Sequence, residues 1–173
     1  DQMDGLIAEH DLGNEEQLRV GMKRMVVLAS EGNRRGVAAL IATLAPLVQG
    51  MPSAHKRIFS YNVAIAETAL GEADAAIGRL DRLVADYYEI IGLTPREVMG
   101  NNSPQLAKMV KQGADVEDIK HLADSLDALA KAHDVVGSVA PFARIHALKF
   151  YELARAPHSL FRVGQDLADE FVG

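Results

Sequence analysis

The sequence predicts an all-α protein, an α-solenoid of about four stacked antiparallel helical hairpins. Three observations point there. Apolar residues recur at helical spacing, and no segment of four or more residues shows a strand's period of two. The hydrophobic fraction is 49%, yet only 5% of residues are aromatic and Trp is absent. The core must therefore rest on Ala, Leu, Val and Ile, and small side chains let helix backbones approach. Finally, small residues at Gly32, Gly71, Gly113 and Ala154 mark corners 39 to 42 residues apart. A hairpin that cannot bury both faces alone is completed by stacking on the next.

The elements follow in order. Asn14-Glu15-Glu16-Gln17 reads as a capping box. Leu18, Met22, Met25, Val26 and Ala29 then share a face, and Gly32 ends the helix. A second helix follows Asn33, with Val37, Leu40, Ile41, Leu44, Leu47 and Val48 on one side. Pro46 removes a backbone donor there, so a kink or irregular end is expected. Ser53 is expected to cap a third helix, with Ile58, Tyr61, Val63, Ile65, Ala66 and Leu70 apolar or packed, and Gly71 ending it. A fourth runs from about Ala73 to Ile91, buried through Ala76, Ile77, Leu80, Leu83, Val84, Tyr87 and Ile91.

Thr94-Pro95-Arg96-Glu97 is a capping box with proline at the first helical position, opening a turn that Gly100 closes. Asn101 and Asn102 read as a loop, and Ser103-Pro104 starts a helix ending at Gly113. Asp115 caps a long helix with Ile119, Leu122, Leu126, Leu129 and Ala130 in register. After a connector from Val135 to Ala140 come a helix over Pro141 to Leu153, buried through Phe142, Ile145, Leu148 and Tyr151, and a last one from about His158 to Val172.

The 173 residues suit one domain with a core of its own. Because the chain opens at Asp1 without Met and stops just after a helical pattern, a piece of a longer protein is expected. The net charge of −6, from 18 basic and 24 acidic residues, disfavours nucleic-acid binding, which needs a basic surface. With no Cys, disulfides, thiolate nucleophiles and Cys-based zinc sites are excluded. The longest apolar run, Gly36 to Val48, is too short to span a bilayer and is broken by Pro46. No signal-peptide pattern is present, and a reducing cytoplasmic setting is the expectation.

The repeat is clearest in "YNVAIAETALGEADAAIGRLDRLV", which begins at Tyr61. Aligning Tyr61-Asn62-Val63-Ala64 with Arg144-Ile145-His146-Ala147 places Leu70-Gly71 on Leu153-Ala154 and Ala76-Ile77 on Ser159-Leu160. This stretch resembles a tetratricopeptide repeat. Asn62, Val63, Ala64, Gly71, Ala76 and Leu80 stand at that family's packing and corner positions. Glu67 replaces the usual aromatic before the corner, and the spacing is that of a long-repeat variant, as in bacterial regulators. The resemblance implies a scaffold whose first helices line a concave groove.

Among the chemistry-bearing residues, His121, Asp124 and Asp127 share one helix side, with His133-Asp134 beyond. A metal site needs ligands from several elements, so a solvated face with local ion pairs is expected instead. His146 falls at a packing slot and is expected to be a structural histidine. Arg34 and Arg35 precede a helix, where anions are attracted, but a polar hairpin corner is the expectation. The acidic stretches Glu72 to Glu89 and Asp115 to Asp134 read as solvated outer faces. No nucleotide-binding or nucleophile-elbow motif occurs.

The resemblance implies that the groove is lined by Ile58, Tyr61, Asn62, Ile65 and Thr68, with Arg19, Met22, Lys23 and Val26 before them and Arg144 and Leu148 after. Arg19, Lys23, Tyr61, Asn62, Ile65 and Arg144 are the candidate partner-binding residues. They offer an amide for a peptide backbone, cations for a carboxylate, and apolar pockets. The family's carboxylate clamp needs more paired Lys and Asn positions than Lys23 and Asn62 supply. The expected function is a protein- or peptide-binding scaffold. It is not an enzyme, and it uses no cofactor and no metal. Self-association through terminal hairpins is one partner mode. The alternative is a ligand-sensing regulatory domain of a larger signalling or transcription-regulating protein.

Overall fold

The computed structural model describes residues 13–172, and among them it is all-α, with no strand. The helices are α1 (Asn14–Ser30), α2 (Arg34–Gln49), α3 (Ser53–Ala69), α4 (Ala73–Ile91), α5 (Pro95–Gly100), α6 (Ser103–Met109), α7 (Val116–Val135), α8 (Ala143–Leu153) and α9 (Pro157–Val172). The chain divides into two compact units, one ending at Glu72 and the other beginning at Ala73.

In the first unit α1, α2 and α3 pack against one another. Their shared core is Leu18, Met25 and Ala29 of α1, Val37, Leu44 and Val48 of α2, and Val63, Ala66 and Leu70 beside or within α3. Gly21 is the reason α1 and α2 come close. A Cβ there would stand 2.7 Å from Leu44 Cδ1. Val26, expected on the buried face, is instead exposed, because Gly21 and Met25 turn the packed face past it. Pro46 ends nothing: α2 continues through it to Gln49.

Asn33 caps α2 by accepting from the Gly36 N–H at 2.9 Å. Two expected caps fail. Asn14 lies inside α1, and Gly13 is the cap, because the Gly13 carbonyl takes the Gln17 N–H at 3.0 Å. Ser53 likewise lies inside α3, whose first turn closes on the Pro52 carbonyl. Neither side chain is needed once the preceding carbonyl has closed the turn. At the unit's far end Arg34 donates to the Leu70 carbonyl and to Glu72, tying the start of α2 to the end of α3. The expected polar corner at Arg34 is thus a staple within this unit.

The second unit is a chain of neighbours: α4 packs on α7, α7 on α8, and α8 on α9, while α5 and α6 sit against α8. Leu80, Ile91, Leu122, Ala123, Ala147 and Phe150 are fully buried in it. The expected box at Thr94 is present, with Glu97 reaching back to the Thr94 N–H at 2.8 Å. A second box was not expected. Asn102, read as loop, accepts from the Gln105 N–H at 3.0 Å while Gln105 returns the bond. Lys149 of α8 donates to the carbonyls of Val98 at 2.6 Å and Asn101 at 3.0 Å, and Glu152 accepts from Ser103. Two polar residues of α8 thereby seat two helices too short to stand alone.

Two corners differ from expectation. α6 stops at Met109, and Gly113 turns the connector that follows rather than ending a helix. The last corner is one residue later than aligned. Ala154 is the C-cap and Arg155 takes the left-handed conformation at φ +53°, as Gly71 does at +76°. Both corners carry the same pair of bonds. Gly71 N–H reaches the Thr68 carbonyl and Glu72 N–H the Glu67 carbonyl; Arg155 and Ala156 repeat this onto Glu152 and Tyr151. That is the Schellman ending.

The packed face of α8 is also one step off. Ala143, His146, Ala147, Phe150 and Tyr151 are buried, whereas Phe142 is exposed and Ile145 and Leu148 are half-buried. Phe142 cannot enter the core with α8, because it precedes the helix in a left-handed conformation, φ +72°. Its exposure leaves the inward face to the small Ala143 and Ala147, which let α7 approach.

Candidate functional site

The side chains expected to line a groove are placed as follows. Arg19 and Glu16 form an ion pair within α1, with Nε to Oε2 at 2.8 Å. This exposed pair lowers the Glu16 pKa and raises that of Arg19, first through the hydrogen bond itself. Lys23 is exposed on the same helix. Tyr61 and Ile65 are half-buried on α3. Asn62 spends one amide N–H on its own helix, at 2.9 Å from the Ile58 carbonyl. These five residues belong to the first unit and Arg144 to the second.

Arg144 stands in a cleft. The second unit has a cleft of about 440 Å³ between α7, the connector after it, α8 and α9. That volume is within the range of ligand-sized clefts, roughly 300–1,000 Å³. Ala130, Val139, Ala140, Pro141, Phe142, Ile145, Leu167 and Phe171 give it apolar walls, and its charges are Asp134, Arg144 and Glu170. Arg144 is only 11% exposed; it donates to Asp134 at 2.6 Å and pairs with Glu170. Its Nε is buried with no hydrogen-bond partner. The two carboxylates stay 54% and 47% exposed, so their outer lone pairs face water.

Several departures from ordinary folding economy meet at this cleft. Phe142 holds a left-handed backbone that a bulky side chain rarely adopts. It is 48% exposed, and Phe171 is 81% exposed. Phe142 also stacks on the His146 ring, with centroids 6.3 Å apart. Behind that stack His146 Nδ1 lies 2.9 Å from the Tyr88 hydroxyl, and Phe150 meets Tyr88 edge-on. Burial, and secondarily the Lys149 charge, pushes the His146 pKa down, while burial pushes the Tyr88 pKa up. The pair is therefore neutral near pH 7. His146 is buried, as a histidine at a packing slot should be, and its Nε2 has no partner.

The carboxylates grouped on α7 do different work from that of a solvated face. Asp127 is buried, and its Oδ2 takes Lys131 at 3.0 Å and Arg162 of α9 at 2.9 Å. Asp124 accepts from Tyr151 and from Lys120. His121 turns instead to the Tyr87 ring. Among the described residues no three His, Asp or Glu side chains gather where they would hold a metal ion.

Of the residues expected to bind a partner, Arg144 lines this cleft; Asp134, Phe142, Glu170 and Phe171 line it too and are not among those expected. The sequence pattern puts Phe142 on a packed helix face and Asp134 on a solvated one. The readable signal was a surplus of apolar residues on α9: Phe161, Phe171 and Val172 lie off the buried Val163 face and are exposed. No described helix is long and apolar enough to cross a membrane. No family model, curated protein or solved structure matches this chain.

Proposed function

We propose that this chain is a binding module that holds a segment of another polypeptide, in a scaffold of tetratricopeptide-like helical hairpins. The observation that carries the reading is the Arg144 cleft. It combines apolar walls, exposed aromatics and a buried ion-paired arginine, the composition enriched at interface centres. Two helical hairpins support the scaffold reading: α1 packs on α2 and α8 on α9, and the corners between them, at Gly32 and Arg155, are left-handed with the same two bonds.

Phe142→Ser tests this. A partner captured by the chain is purified, and its affinity measured for wild type and variant by calorimetry, with circular dichroism confirming that both are folded. Loss of a large aromatic at an interface centre should weaken binding by about 2 kcal/mol or more, some thirtyfold. Equal affinity removes this cleft from the binding surface.

A further inference from the structure

We infer that the segment taken by the cleft is apolar and basic: a large apolar side chain seated on Phe142, flanked by Lys or Arg facing Asp134 and Glu170. The inference rests on the binding reading above and adds the partner's chemistry. Three charges line the cleft, two negative and one positive. They are not equally presented. Arg144 is withdrawn and already bound on two sides, whereas its two carboxylates remain about half exposed. A visitor meets the carboxylates first. An acidic segment would face both with the guanidinium out of reach, and like charges across an interface are a strong bar to association. A cationic side chain completes an alternating array of carboxylates and cations.

Apolar surface stands open at the cleft's rim: Phe171 and Val139, which line it, are among the most exposed large side chains described. A small organic amine would cover the cleft and leave this rim bare. A polypeptide covers both, so a peptide is the occupant argued for. A second copy of this chain carries a net charge of −6, which opposes self-docking on an acidic mouth.

The test uses two synthetic fluorescein-labelled peptides with identical leucine and phenylalanine positions, one with lysine and one with glutamate at the flanking positions. Fluorescence anisotropy with the full chain should show the lysine peptide binding more tightly by about tenfold, a gap that shrinks as salt is raised. Asp134→Asn with Glu170→Gln should reverse the preference, because Arg144 is then left unpaired in the cleft. If that double variant fails to fold, Glu170→Gln alone should narrow the gap severalfold. Phe142→Ser and Phe171→Ser should each weaken the lysine peptide.

Equal binding of the two peptides, lost in Phe142→Ser, overturns the basic partner and leaves the binding reading standing. Binding of neither peptide overturns both. Displacement of the lysine peptide by hexylamine at similar concentration would make the occupant a small amine. A sedimentation dimer that becomes a monomer in Phe142→Ser would make it a second copy. Either result overturns the inference.

Discussion

Replacing Tyr88 with Phe isolates one buried hydrogen bond. The ring of Tyr88 is buried and meets Phe150 edge-on at 5.7 Å, and Phe keeps both features. Only the hydroxyl goes, and with it the 2.9 Å contact to His146 Nδ1. His146 Nε2 already lacks a partner, so the variant leaves an imidazole with neither nitrogen bonded. Stranding a buried polar group costs roughly 1–3 kcal/mol. His146→Leu should cost a similar amount, because it strands the Tyr88 hydroxyl instead. The double variant strands nothing. It should therefore fall short of the sum of the singles by at least ~1 kcal/mol. Urea denaturation followed by far-UV circular dichroism measures all three. Additive effects would refute the reasoning, as would a Tyr88→Phe variant as stable as wild type.

Three further outcomes follow from the same structure. The His146 pKa is lowered on folding, below the unfolded value near 6.5, so the native state resists a proton that the unfolded chain accepts. Stability from this group is complete above that unfolded value and declines as pH falls below it, until the folded pKa is reached; His146→Leu should flatten the urea midpoint across that window. At the corners, Gly71→Ala should cost about 1–2 kcal/mol for a left-handed alanine, since an added Cβ there meets no atom within 4 Å. Arg155→Gly should gain ~0.5–1 kcal/mol for the converse reason, and melting curves that move the same way for both would refute the corner geometry. Lys149→Met removes the donor to the Val98 and Asn101 carbonyls, so amide exchange in α5 and α6 should rise while that of α7 holds.

Local chemistry was legible without a structure at several helix ends, though not at Asn14 or Ser53, where the preceding carbonyl closes the turn. The Thr94 box needs only Thr and Glu three residues apart, and Asp115 caps α7 from one position before its first residue. The run of Ile119, Leu122, Leu126 and Leu129 left α7 one way to face the core. Gly32 and Gly71 turn left-handed because glycine alone does so without strain. Both stand just past a helix end, where the spacing of small residues predicts a corner.

Other choices belonged to packing. Apolar residues lie all around α8, so its periodicity fits two faces equally, and the approach of α7 selects Ala143, His146 and Ala147 over Phe142. That selection makes Phe142 a wall of the cleft instead of a core residue. Nothing local says that Asp127 is buried; Arg162, thirty-five residues away, makes it so. Arg144 likewise acquires Asp134 and Glu170 only when α7 and α9 meet beside α8. Helix ends and hairpin corners depend on bonds among a few consecutive residues. Which face is buried, and which charges share a cleft, depends on free energies gained only when distant helices touch.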